Sequence, residues 1–170
     1  MQVLTVRPIL KYPHPALRSS AEPVTEFGDD LRLLADDLLE TMRAAPGIGI
    51  TAPHIGLLKR IVVLELDRGQ PARFYVNPDI EWFSADIVRH EEGSVSMPGV
   101  SNEVERPASI RVRYEDLSGV SQTEEAAGLL SICLQHEIDQ LDGIFWVYRL
   151  SKLKRDRLIK RYEKLSRDQR

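Results

Sequence analysis

The 170-residue chain has one cysteine, Cys133, so no internal disulfide can form, and a reducing, cytoplasmic setting is expected. No apolar run approaches the roughly 18–20 residues needed to span a bilayer. Residues 1–7 lack the apolar core and small-residue cleavage site of a signal peptide and read as a short strand. Repeats, low-complexity tracts and linkers are absent too. Aromatic residues are scarce at 6%, while 42% hydrophobic and 29% charged residues are ordinary for a soluble globular protein. These absences exclude a disulfide framework and a long apolar membrane-spanning segment. The length suits one domain, residues 1–170, with a single core.

Net charge is small but unevenly spread. Residues 149–170 hold ten Lys or Arg against three Asp or Glu, a balance of +7, and with a chain total of −3 this leaves −10 for residues 1–148. A basic tail on an acidic body suits an anionic partner such as RNA, and equally a solvated amphipathic helix. Nothing points to DNA or to a membrane.

Leu31, Leu34, Ala35, Leu38 and Met42 recur at helical spacing behind Asp29 and Asp30, and Ala45-Pro46-Gly47 ends the run. Residues 60–66 and 74–76 read as strands joined by the turn Asp67-Arg68-Gly69-Gln70-Pro71; the first is too continuously apolar for an exposed edge. Ile110, Val112 and Tyr114 alternate with Arg111 and Arg113, a half-buried strand closed by Ser118-Gly119. The spacing predicts a long helix from about Glu124 to Asp142, central and buried because its content from Ala126 to Leu134 is apolar nearly all round. A last helix over about residues 152–166 sets Leu158, Tyr162 and Leu165 against a basic face. Strands, then helices, without regular alternation make an α+β fold.

The segment Gln135-His136-Glu137-Ile138-Asp139-Gln140 lies inside the long helix. His-Glu-x-x-His on a helix puts two histidines on one face around a metal, with the glutamate acting on metal-bound water. Here the second place is Gln140, so His136-Glu137 alone is a weak signal, more often structural. Two further segments bear on it: Gly47-Ile48-Gly49-Ile50-Thr51-Ala52-Pro53-His54-Ile55-Gly56 and Glu92-Gly93-Ser94-Val95-Ser96-Met97-Pro98-Gly99.

In order and spacing the three segments resemble the motifs of the peptide deformylase family. The first matches except that a glutamine ordinarily stands where this chain has His54. The second resembles Glu-Gly-Cys-Leu-Ser-x-Pro-Gly, and the third, residues 135–143, resembles Gln-His-Glu-x-Asp-His-Leu-x-Gly. The likeness covers essentially the whole chain, including the basic tail after Tyr148-Arg149-Leu150. It implies a peptide-deformylase-like α+β fold, with antiparallel strands around a central helix carrying the His-Glu motif, plus a C-terminal helix. It also implies a chemistry: removal of formyl from the N-terminal methionine of nascent chains, in the bacterial cytoplasm, by Fe²⁺ or a substitute metal. In the family the motif-two cysteine and two motif-three histidines hold the metal. The motif-three glutamate is general base and acid, and the motif-one glutamine and a backbone N–H stabilise the oxyanion.

Carried over residue by residue, the metal places fall on Ser94, His136 and Gln140, and the catalytic places on Glu137 and His54. The resemblance puts Gly49, Val95, His90, Leu129, Ile132 and Cys133 at the substrate, His90 where an apolar residue usually lines the methionine pocket. Of the ligand and catalytic places, only His136 and Glu137 keep the family identity. Serine for cysteine replaces a soft thiolate with a neutral hydroxyl, and glutamine for histidine replaces an imidazole with a weakly binding amide oxygen. The expectation is therefore no cofactor; a metal, if bound, would be Fe²⁺, Zn²⁺ or Ni²⁺.

Alternative roles stay open for several of these residues. His54, His136 and, in a wider set, His90 could rebuild a metal centre, or be polar replacements in a pocket under no catalytic demand. Cys133, one turn before His136, could serve as a rescue ligand but reads more readily as core. Ser94 with His136 and Glu137 has the composition of a serine hydrolase, though nothing in the sequence fixes a hydrogen bond between them. Gly47 and Gly49 also suit a turn needing positive φ. Function divides accordingly. The chain is a peptide-deformylase-like protein that binds peptide N-termini, or docks on the ribosome through the basic helix, without turnover. Otherwise it is an active deformylase or related amide hydrolase with a rebuilt centre, or a relic with structural interactions only.

Overall fold

The computed structural model describes residues 3–169. Helix α1 (Asp29–Ala44) begins and ends where the acidic pair and the Ala-Pro-Gly segment place it, and buries Leu31, Leu34, Ala35, Leu38 and Met42. The start of the expected N-terminal strand, residues 1–2, lies outside the described residues, and residues 3–7 are not strand. Side chains of α1 take the donors that a sheet would otherwise satisfy. The Thr5 N–H donates to Asp37 Oδ1 (2.9 Å) and the Arg7 N–H to Thr41 Oγ1 (2.8 Å).

Five strands form one antiparallel sheet: β1 (Gly49–Thr51), β2 (Ile61–Leu64), β3 (Arg73–Phe83), β6 (Ser109–Glu115) and β7 (Ser121–Ala127), in the order β1-β2-β3-β6-β7. β4 (Ile87–Ser94) and β5 (Met97–Pro107) make a separate antiparallel hairpin. The four residues of β2 are all fully buried between β1 and β3, as their unbroken apolar run requires. β3 is far longer than residues 74–76. It bulges after Val76, where Asn77 adopts φ 49° and its side chain bonds both the N–H and the carbonyl of Val24.

The central helix is shorter than expected. Residues 121–127 are β7, and α2 runs over Gly128–Leu141. Glu124 and Glu125 do not open a helix because cross-strand partners hold them. Tyr75 and Arg73 donate to Glu124, and Arg111 pairs with Glu125, its direct neighbour on β6. Tertiary pairing outweighs local helix preference here. From Ser131 onward α2 is buried on nearly every face, as its composition demands. It packs Leu134, Ile138 and Leu141 on the sheet, among Val62, Leu64, Tyr75, Ile110 and Val112.

Helix α3 (Lys152–Asp168) buries Leu158 and Tyr162 beside Val100 and Val104 of β5, with Leu165 packed against the same cluster. Its basic residues stay largely on the outer face. No helix among the described residues is long and apolar enough to cross a membrane.

Candidate functional site

A cavity of about 590 Å³ opens between two strand edges with no neighbour in their sheets, Gly47–Gly49 at β1 and His90–Val95 of β4, with α2 as its floor. Glycine is required on the β1 side by close approach and not by backbone conformation, since neither Gly47 nor Gly49 has positive φ. A Cβ on Gly49 would lie 2.8 Å from Glu137 Oε1 and 2.9 Å from Leu64 Cδ2, and one on Gly47 would lie 2.7 Å from Val95 Cγ1.

Three side chains meet at the inner end. His54 comes from the 3-10 turn after β1 and is 1% exposed. His136 and Glu137 come from the middle of α2. Glu137 sits between the imidazoles, its Oε1 3.9 Å from His136 Nε2 and its Oε2 4.0 Å from His54 Nδ1. Burial pushes the Glu137 carboxyl up to about 7. Burial, then the His136 charge, drives His54 down to about 3, so its imidazole is neutral. His54 Nδ1 lies 2.9 Å from both the N–H and the hydroxyl of Thr51; accepting from the amide leaves the ring proton on Nε2. That Nε2 and Glu137 Oε2 are buried with no protein partner. Two residues that line the cavity thus each hold a buried polar atom, one N–H donor and one carboxyl oxygen, without a partner among the described residues.

Behind them runs a chain of charges. The His136 Nδ1–H donates to Glu92 Oε1 (2.8 Å), and both Glu92 oxygens accept from Arg106. Arg106 Nη1 reaches Asp139 Oδ2 (2.9 Å), and Arg149 binds both Asp139 oxygens from the far side. Burial works against the charge on Glu92, but the hydrogen bonds of Arg106 and His136 prevail and hold its carboxyl down at about 2. Burial also works against a charged His136, yet its bond to Glu92 and the nearby Glu137 raise it above the usual histidine range. Glu92 stood within a sequence motif, whereas no sequence signal marks Arg106, which lies on β5 14 residues beyond its partner. Lys11 is a further lining residue that the motifs do not reveal; its Nζ donates to the Val95 carbonyl at 3.1 Å.

Ten of the eleven residues picked out by sequence line this one cavity: Gly49, His54, His90, Ser94, Val95, Leu129, Ile132, Cys133, His136 and Glu137. The exception is Gln140. It is 2% exposed, does not line the cavity, and donates from Nε2 to the Leu17 carbonyl at 2.8 Å. Cys133 does line the wall, but burial pushes its thiol up to about 12, which keeps it a neutral packing group.

The polypeptide deformylase family model matches residues 6–156, which takes in every element from α1 to the start of α3. The chain belongs to the peptide deformylase family. It is 69% identical over 164 residues to a peptide deformylase-like protein of Brucella melitensis, covering 96% of this chain and 100% of that protein. It is 47% identical over 165 residues to a peptide deformylase of Phenylobacterium zucineum, covering 95% and 97% of the two chains. The crystal structure of a peptide deformylase from Legionella pneumophila superposes with a TM-score of 0.91 at 36% identity, over 97% of this chain and 98% of that one.

The deformylase family is metal-dependent, and the residues at the family's ligand places do not fit a metal. Ser94 offers a neutral hydroxyl that already accepts the Ser96 N–H (3.1 Å), and the Gln140 amide is bonded to Leu17 outside the cavity. Among the described residues no group of three or more His, Cys, Asp or Glu converges to hold an ion. His54, His136 and His90 accordingly form no such group among the described residues. Nor does a serine-hydrolase array form: Ser94 Oγ is bonded to the Ser96 amide, whereas His136 is bonded to Glu92.

Proposed function

We propose that this deformylase-family protein binds the N-terminal segments of peptides in the β1–β4 cleft without the family's metal-dependent deformylation. The observation that carries the reading is the Gln140 amide, drawn out of the site to the Leu17 carbonyl while Ser94 replaces a thiolate. Loss of two of three ligands lowers metal affinity by orders of magnitude, given that even an outer-shell loss costs about 10–100-fold.

The cleft itself is intact as a peptide site. The cavity edges of β1 and β4 leave backbone groups available for an extended chain to pair with, and side-chain room lies between them. At its end the His54 Nε2–H would donate to an acyl oxygen of the bound peptide, in place of the family glutamine. Setting is part of the same proposal, a bacterial cytoplasm, as is a partner, the ribosome. Lys154, Arg157, Lys160, Arg161 and Lys164 are all exposed along α3 and present a cationic face to phosphate.

Fluorescence anisotropy with labelled N-formyl peptides, run beside a chromatographic assay for released formate, tests the main reading. Saturable binding with no hydrolysis supports it; steady hydrolysis that a chelator abolishes would favour the alternative, an active enzyme with a rebuilt metal site. Cosedimentation with ribosomes tests the partner, with association expected to fall steeply between about 50 and 200 mM salt. Salt-insensitive association, or none, removes that part.

A further inference from the structure

We propose that the cavity selects a bound peptide whose first side chain is glutamate or glutamine, and that His90 is the specificity-determining residue. The proposal rests on the reading that the cleft binds peptides, and adds to it the chemical class of the residue received.

His90 is the uncommitted imidazole of the cavity. Thr51 holds His54, and Glu92 holds His136. His90 is exposed, lines the cavity, and among the described residues has no hydrogen-bond or ion-pair partner. Strand alternation places it on the same face of β4 as Glu92, the face turned to α2, and Glu91, which follows it, also lines the cavity. Across from it, Leu129, Ile132 and Cys133 stand at i, i+3 and i+4 of α2 and form one continuous wall leading to His136.

That arrangement discriminates between side chains. The wall grips two or three methylenes of any linear side chain. What lies at the end of the wall decides the outcome. A thioether or branched alkyl group would cover the imidazole and strip its water without replacing the hydrogen bond, an unfavourable burial of a polar group. A carboxylate or carboxamide oxygen at the end of two methylenes accepts from the ring N–H instead. Among the described residues Lys11 is the one Lys or Arg lining this cavity and no ion pair holds it, so its charge favours an acceptor, while Glu91 and Glu137 in the same lining favour a neutral carboxamide over a carboxylate.

The test uses four N-formyl tripeptides of form X-Ala-Ser with a C-terminal fluorophore, X being Glu, Gln, Met or Leu. Dissociation constants are read by anisotropy for the full-length protein, for H90I and for H90N. Wild type is expected to bind the Glu and Gln peptides about tenfold more tightly than the Met peptide, the worth of one good hydrogen bond. H90I, at an exposed strand position, should invert the order with an unchanged melting temperature, and H90N should keep it. Tighter binding of the Glu peptide alone assigns the selection to charge; equal binding of Glu and Gln assigns it to hydrogen bonding. A Met or Leu preference in wild type, or an order unmoved in H90I, overturns the inference and leaves peptide binding standing. No binding of any of the four overturns both.

Discussion

Gln140 and Leu17 are joined by a buried hydrogen bond, Nε2 to carbonyl oxygen at 2.8 Å, across 123 residues of sequence. It ties the central helix to the N-terminal segment from the position to which the motif resemblance assigns a metal ligand. The residue has acquired a structural task that a bare ligand place would not have. Q140A should therefore destabilise the protein by about 1–3 kcal/mol, because it leaves the buried Leu17 carbonyl without a donor. Thermal melting should show a loss of several degrees. An unchanged melting temperature would mean that Gln140 only fills space.

Glu137 makes stability pH-dependent in a defined direction. Its folded-state pKa, about 7, lies above the ordinary carboxylate value. Below about pH 4.5 it is protonated in both states and contributes no slope. Between about pH 4.5 and 7 the unfolded chain releases this proton while the folded chain keeps it, so stability falls as pH rises, then levels off. E137Q removes that loss. The variant should gain over wild type by on the order of 3 kcal/mol between pH 5 and pH 8, read from denaturant curves at each pH. A resident divalent cation would reverse the sign, since it would favour the charged carboxylate.

Arg106 is the keystone of the buried charges, with Glu92 on one side and Asp139 on the other. R106A leaves Glu92 with His136 as its one partner and Asp139 with Arg149, and losing the guanidinium between two buried carboxylates should cost about 3–5 kcal/mol. His136 also loses the anchored carboxylate that orients its ring, so peptide affinity should fall with stability. Paired unfolding and anisotropy measurements on R106A check both effects; a mildly destabilised variant would show that water can replace the guanidinium.

G49A puts a methyl group within 2.9 Å of Glu137 Oε1 and Leu64 Cδ2. Leu64 is fully buried in β2 and has little room to yield. The substitution should cost about 1–3 kcal/mol by overpacking and displace the Glu137 carboxyl. Weaker peptide binding, measured alongside the melting curve, is the expected companion effect.

Much of this was legible in the sequence, and the exceptions share a cause. α1, β2 and α3 were readable because each buries an uninterrupted apolar face, such as Leu158 and Tyr162 under α3. The β4–β5 hairpin was not. Its inner strand reads Ile-Val-Arg-His-Glu-Glu-Gly-Ser, and the face carrying His90 and Glu92 meets a cavity and an ion-pair chain instead of an apolar core. The start of α2 was placed too early because Glu124 and Glu125 look like helix-opening acids until Arg73, Tyr75 and Arg111 are seen beside them. The site residues were recoverable because three motifs in register marked their places. What spacing could not reveal was the direction in which Gln140 points, since a side chain on α2 can turn toward the cavity or toward Leu17 with no change in pattern.

The central claim is that the family's ligand places no longer hold a metal, and metal content tests it most directly. Untagged protein purified anaerobically, and the S94C/Q140H variant prepared in parallel, should be analysed by plasma mass spectrometry together with formyl-Met-peptide hydrolysis. The account predicts well under about 0.1 iron, zinc or nickel per wild-type chain and no turnover. It also predicts near-stoichiometric metal and measurable hydrolysis only when thiolate and imidazole are both restored. About one tightly held metal per wild-type chain, with chelator-sensitive hydrolysis, would contradict it.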